Sequence, residues 1–322
     1  MKVCVYGAGA IGAYLAAALT DGGAKVTLIA RGPHLAAMQK HGLTLIRNGE
    51  SRTLKLPCSD DPAKIGVQDY VILTVKAHSV APAVEQIKTL LGPDTAVVTA
   101  QNGILWWYFH AVEGPLQNQR LETADPGGVI WDALGPERAI GCVVYPSCEI
   151  VEPGVVKHLD GNRFMLGEPD GDKSPRVMAL AEAMNAGGLK APVRRKIRDD
   201  IWFKLLGNAT FNPVSVLTGA TLEQMGTHPG VRSVIKTLMA EAAAVADRLG
   251  VRFAMGLDQR IAGATAVGAH KTSMLQDFEL GRPLEIDALV ASVSELGRLV
   301  EVPTPVLDAA IELVRYKADS RG

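Results

Sequence analysis

The sequence predicts an α/β protein in two parts, an amino-terminal domain with a parallel sheet and a mainly helical carboxyl-terminal domain. Three observations predict it. Strand-like and helix-like segments alternate over the first hundred residues, a glycine-rich turn follows the first strand, and the texture turns helical after Pro192. A chain of 322 residues also exceeds the size at which one core usually stops growing, so two domains are expected. The expected division is 1–194 and 195–322, near the stretch APVRRK.

Four short apolar or β-branched runs open the chain: Val3 to Tyr6, Val26 to Ala30, Tyr70 to Val75 and Ala96 to Ala100. Each is bounded by Gly, Pro or Asp and separated from the next by helical spacing, the pattern of a parallel sheet with helices on both faces. In LTLIRNGESRTLKL, Asn48-Gly49 lies between two strand-like runs and reads as a tight hairpin turn. IGCVVYPSCEI, VVKHL and RFMLG read as further strands. Beyond them, Ile197 to Leu217, Val231 to Gly250 and Ile286 to Val300 read as helices. In the last, Ile286, Leu289, Val290, Val293, Leu296, Leu299 and Val300 make one buried stripe. Asn212 precedes Pro213, which predicts an end or bend of the first helix there.

Composition narrows the function classes. A net charge of −1, from 33 basic and 34 acidic residues, provides no polycationic surface for nucleic acid, and no apolar run approaches the roughly 20 residues of a membrane span. The start, MKVCVYGAGA, lacks the pattern of a signal peptide, so a cytoplasmic protein with a small-molecule partner is expected. Cys4, Cys58, Cys142 and Cys148 have no metal-ligand or C-x-x-C spacing and read as reduced packing residues; no metal is expected.

VYGAGAIGAYL places Gly7, Gly9 and Gly12 in G-x-G-x-x-G spacing between a strand and a helix, with Ala10 and Ile11 opening that helix. This is the Rossmann dinucleotide-binding pattern: a tight turn, a close approach to a pyrophosphate, close helix–strand packing, and helix-start amides facing the phosphates. The second strand ends at Ala30-Arg31, where an NAD-preferring site usually carries an acid. Arg31 suits a 2′-phosphate, so NADP(H) is the expected cofactor; the alternative is a solvated arginine opening a turn. Lys76 and Asn102-Gly103 follow the next two strands, where ligands of open α/β sheets bind, although each could be a surface lysine or a plain turn.

In WFKLLGNATFNPVSVLTG, Lys204, Asn208 and Asn212 recur every four residues, drifting about 40° per step, so they share one helix face. KTSMLQDFELGRPLEID gathers Ser273, Gln276, Asp277 and Glu285. Ser273 with Gln276 could be a helix capping box, and Glu285 could simply favour a helix start.

Taken together, GAGAIG, VKAHS, QNG, the run from Lys204 and SMLQDFELGRPLEID resemble the ketopantoate reductases (2-dehydropantoate 2-reductases) over nearly the whole chain. That resemblance implies a Rossmann domain followed by a helical domain, and NADPH-dependent reduction of ketopantoate to pantoate in pantothenate biosynthesis. It further implies Lys204 as the catalytic lysine and Glu285 as the substrate-orienting acid. Ser273, Asn208, Asn212 and Asn102 become substrate contacts, with Asn102 also on the cofactor side, and Lys76 and Arg31 become cofactor-side basic residues. A homodimer is left open.

The sequence departs from the resemblance after QNG, where a longer connection carries Trp106, Trp107, Tyr108, Phe109 and Trp131. These aromatics could pack a core, wall a larger pocket or form a subunit contact. A related reductase of a bulkier 2-oxo acid, or a non-catalytic NADP(H)-responsive binding protein, are therefore the alternative readings. His78 reads as a surface residue.

Overall fold

The computed structural model describes residues 1–321, which fall into two compact units. The first comprises Met1–Gln101, Leu105–Arg120 and Gly127–Ile197; the second comprises Asn102–Ile104, Leu121–Pro126 and Arg198–Gly322.

The first unit is the α/β one. Its strands are β1 (Lys2–Tyr6), β2 (Lys25–Ile29), β3 (Leu43–Arg47), β4 (Glu50–Leu54), β5 (Cys58–Ser59), β6 (Gln68–Leu73), β7 (Leu91–Thr99), β8 (Ala139–Val144), β9 (Ser147–Glu152), β10 (Val155–Asp160) and β11 (Phe164–Gly167). Its helices are α1 (Ala10–Asp21), α2 (Gly32–His41), α3 (Val84–Lys88), α4 (Val129–Leu134) and α5 (Pro175–Ala186). Seven strands form the main sheet in the order β11-β8-β7-β6-β1-β2-β5, parallel throughout except at β11. The chain leaves β1 toward β2 and β5, then returns to lay β6 on the other side of β1. That reversal is the topological switch point, beside which such sheets bind ligands.

The Asn48-Gly49 hairpin forms as expected, with both residues at positive φ (53° and 82°), the twist a two-residue turn between antiparallel strands requires. Its partners are an addition to the sequence reading. β3 also pairs with β10, and β10 with β9, giving a second, four-stranded sheet ordered β4-β3-β10-β9. Tyr14 of α1 is buried against that layer, its ring stacked on His158 of β10 at 4.6 Å.

The second unit is helical: α6 (Ile197–Thr218), α7 (Leu222–Thr227), α8 (Pro229–Arg248), α9 (Leu257–Thr265), α10 (Ser273–Glu279), α11 (Ser292–Leu299) and α12 (Pro305–Asp319). Two expectations are corrected here. α6 does not end at Asn212 but continues through Pro213 to Thr218. An interior proline costs about 3 kcal/mol. Burial of Phe211, Val214 and Val216 around it contributes ~1.5–3 kcal/mol each, so packing outweighs the proline. The Ile286 to Val300 stripe is buried except at Leu299, which is 37% exposed. The helix there is not uniform: Asp287–Ala291 forms a π-helical turn, with the Ser292 N–H bonded to the Asp287 carbonyl, and this rotates the later residues away from simple 3.6-residue spacing. Among the described residues no helix is long and apolar enough to cross a membrane.

Candidate active site

The glycine loop after β1 is held by backbone bonds at the switch point. Gly7 and Ala8 donate their N–H groups to the Ile29 carbonyl of β2, at 3.1 and 2.8 Å. From the end of β6, the Thr74 hydroxyl donates to the Gly7 carbonyl at 2.6 Å, and the Thr74 N–H donates to the Tyr6 carbonyl at 3.1 Å. Each glycine has its own reason. Gly7 sits at φ 111°, and a Cβ there would lie 2.6 Å from Val75. A Cβ on Gly12 would lie 2.1 Å from the Gly7 carbonyl oxygen, so only glycine lets α1 pack this closely on the turn. A Cβ on Gly9 would meet nothing within 4 Å, which leaves an open approach over the helix start. Gly9 is also the N-cap of α1 and offers no side-chain cap to the first-turn amides. A bare helix start beside an open backbone suits a pyrophosphate, so these residues fit a dinucleotide.

Around the loop, Arg31 is exposed and is the N-cap of α2, directly beyond β2. Its guanidinium acts on Tyr6: burial raises the Tyr6 phenol above its ordinary value, and Arg31 opposes that rise. His34, in the first turn of α2, was not singled out from the sequence. Its Nδ1 accepts the Gly154 N–H of the β9–β10 turn at 3.0 Å, and burial lowers the imidazole below its ordinary value, partly offset by the Ala8 backbone. A spacing motif cannot reveal it, because its partner lies 120 residues away. Lys76 follows β6 and is half-buried; His78 is exposed, as expected. Burial pushes the Cys4 and Cys148 thiols up to about 12, so both stay protonated, in keeping with packing roles.

The second unit carries Lys204, Asn208, Asn212, Ser273, Glu285 and, through the segment Asn102–Ile104, also Asn102. Lys204 and Asn208 are half-buried on α6, and Asn212 is 3% exposed. The side-chain Nδ2 of Asn212 is buried with no hydrogen-bond partner among the described residues, an expensive state for a donor unless a ligand uses it. The Ser215 hydroxyl donates to the Asn212 carbonyl and lies 2.5 Å from the Thr272 hydroxyl, which brings the start of α10 against α6 one turn past Asn212.

That contact corrects the capping-box alternative. Thr272, not Ser273, caps α10 by accepting the Leu275 N–H at 3.1 Å, and Gln276 donates its amide to the Lys271 carbonyl at 3.0 Å. Ser273, the first residue of α10, is therefore exposed and not committed to the cap. Glu285 is half-buried immediately before the helical run that starts at Ile286. The aromatic connection is mostly core. Trp106, Trp107, Tyr108 and Phe109 are each at most 3% exposed, and the Trp107 indole donates to the Thr99 hydroxyl at 2.9 Å.

Comparison with known proteins matches the chain in two parts. Residues 3–171 match the family described as ketopantoate reductase PanE/ApbA, and residues 196–318 match its carboxyl-terminal part. The chain belongs to the ketopantoate reductase family. It is 54% identical to a 2-dehydropantoate 2-reductase of Mesorhizobium japonicum, covering 100% of this chain and 99% of the relative. A crystal structure from Ralstonia solanacearum MolK2, assigned to the ketopantoate reductases, superposes with a TM-score of 0.94 at 45% identity, covering 99% and 98% of the two chains. A D-mandelate dehydrogenase, solved with NADH and anilino(oxo)acetate, superposes with a TM-score of 0.84 at 25% identity, covering 99% of each chain. As a member of the ketopantoate reductases this chain is an oxidoreductase, which sets aside the reading as a non-catalytic binding protein.

Proposed function

We propose that this chain reduces 2-dehydropantoate to pantoate with NADPH, with Lys204 as proton donor. The observation that carries the reading is the 54% identity to a 2-dehydropantoate 2-reductase along the entire chain. Support for a dinucleotide comes from the glycine loop, and support for the phosphorylated form from Arg31, exposed at the start of α2 where an acid would favour the unphosphorylated ribose. Gly7, Gly9, Ala10, Ile11 and Gly12 would hold the pyrophosphate, Arg31 the 2′-phosphate, and Lys76 with Asn102 the nicotinamide end.

NADPH, when bound, supplies the hydride for the ketone carbon. The protein's part is to manage the charge that grows on the ketone oxygen. Lys204 Nζ stabilises that charge and transfers a proton to the oxygen, a task for which a half-buried ammonium is suited. Glu285 orients the substrate hydroxyl as an acceptor. Ser273, Asn208 and Asn102 hold the polar groups of the acid, and the buried Asn212 Nδ2 gains a partner in doing so.

A bulkier aromatic substrate is the second reading, favoured by the likeness to D-mandelate dehydrogenase. The burial of the four consecutive aromatics weighs against it, and Trp107 is committed within the first unit, packed on Gly141 and donating to the Thr99 hydroxyl. NADPH oxidation at 340 nm with purified protein, ketopantoate and benzoylformate tests the choice. We expect kcat/KM for ketopantoate to lead by at least about tenfold, ~1.4 kcal/mol of transition-state binding, and NADPH to outperform NADH. Equal or better use of benzoylformate would overturn the substrate, and equal use of NADH would overturn the cofactor preference.

A further inference from the structure

Asn102 follows a strand of the first unit, yet the structure groups Asn102–Ile104 with the second. The cause is a backbone clasp. In an α-helix the Ser292 N–H would bond to the Ala288 carbonyl; in the π-helical turn it bonds instead to Asp287, one residue earlier. The Ala288 carbonyl is redirected, accepting the Ile104 N–H at 3.0 Å and the Ser292 hydroxyl at 2.9 Å. Between Asn102 and Ile104, Gly103 has φ 95° and lies so close that a Cβ on it would be 2.2 Å from the Ala288 oxygen. Only glycine permits both the conformation and the approach. The same helical run makes a second tie: the Glu295 carboxylate accepts the N–H groups of Glu122 and Thr123, at 2.8 and 2.9 Å, and the Thr123 hydroxyl at 2.5 Å. Both second-unit pieces of the long connection are therefore anchored on the run that Glu285 opens.

We infer that Gly103 is a positioning residue for substrate: its contact with the π-turn carbonyl of Ala288 fixes Asn102 relative to Glu285, three residues before that carbonyl. The Asn102 Oδ1 is buried and has no hydrogen-bond partner among the described residues, as expected of a group held ready for a ligand. The inference rests on the reading of Asn102 as a substrate contact. Its function is register. The π-turn moves the Ser292 N–H off the Ala288 carbonyl, and that carbonyl accepts the strand-end loop at Ile104.

The test is a double-mutant cycle on the full chain, read by KM for ketopantoate, the calorimetric Kd of pantoate with NADP⁺, the fluorescence Kd of NADPH, and Tm. Gly103→Ala should raise KM and the pantoate Kd about tenfold or more, and the NADPH Kd by less, since Asn102 meets only the nicotinamide end of the cofactor. On an Asn102→Ala background it should add almost nothing, since the two changes act through one group. Ser292→Ala, which removes only the second bond to the same carbonyl, serves where Gly103→Ala does not fold; it should give a smaller rise in KM that also vanishes on the Asn102→Ala background. Unchanged KM in these variants, or a rise that persists in full without the Asn102 amide, overturns the inference. Wild-type KM in Asn102→Ala alone removes the reading of Asn102 itself, and the inference with it.

Discussion

The glycine loop of the first unit and the Lys204 to Asn212 face of the second solve different problems with different parts of the chain. The loop is built from backbone: its shape comes from the positive φ of Gly7, the absent Cβ of Gly12 and bonds to main-chain carbonyls of β1 and β2. The α6 face is built from side chains, an ammonium and two amides on an ordinary helix whose neighbours Trp202, Leu205, Leu206 and Phe211 are buried. A backbone site tolerates many neighbours but no added atom. A side-chain site tolerates backbone adjustment but no change of chemistry. Substitutions should therefore fail in opposite ways in the two regions.

Gly12→Ala should have the largest effect on the loop. A methyl group 2.1 Å from the Gly7 oxygen must push α1 off the turn, at a cost of about 1–3 kcal/mol in stability, with NADPH affinity falling well over tenfold. Thermal unfolding and fluorescence titration check it, and near wild-type NADPH binding would mean that the loop is less tightly defined than its contacts imply. Arg31→Gln should do less. The loop keeps its shape, and on the proposed reading the substitution removes only a charge-assisted bond to the 2′-phosphate, so the NADPH Kd should rise about tenfold while the NADH Kd stays level. A parallel loss for both cofactors would assign Arg31 to general electrostatics instead of the phosphate.

The same contrast explains what was legible in the sequence. Gly7 and Gly12 could be read because no other residue meets their steric demands, Gly9 because the motif spacing holds it open to a ligand, and the Asn48-Gly49 hairpin because both residues take the positive φ its turn requires. The α6 face and the helix from Ile197 to Leu217 were legible from spacing, but the proline rule also suggested an end at Asn212: that rule is local, whereas Phe211, Val214 and Val216 are buried around the proline. The second sheet was hidden because β3 pairs with β10 across more than a hundred residues. The capping-box alternative at Ser273 was open because Thr272 and Ser273 both carry a hydroxyl able to serve, and Thr272 is the one that caps. The attachment of Asn102 to the helical unit leaves least trace, since its bond joins two backbones and only Gly103 marks it.

The central claim is that the backbone of the first unit binds the cofactor while side chains of the second perform the proton chemistry. Lys204→Ala, assayed for ketopantoate turnover and for NADPH affinity in the same preparation, tests it most directly. The account predicts a fall in kcat of about 10²–10⁴-fold, the range for loss of a positioned proton donor, with the NADPH Kd nearly unchanged. Wild-type turnover, or a loss of turnover matched by a loss of NADPH binding, would contradict it.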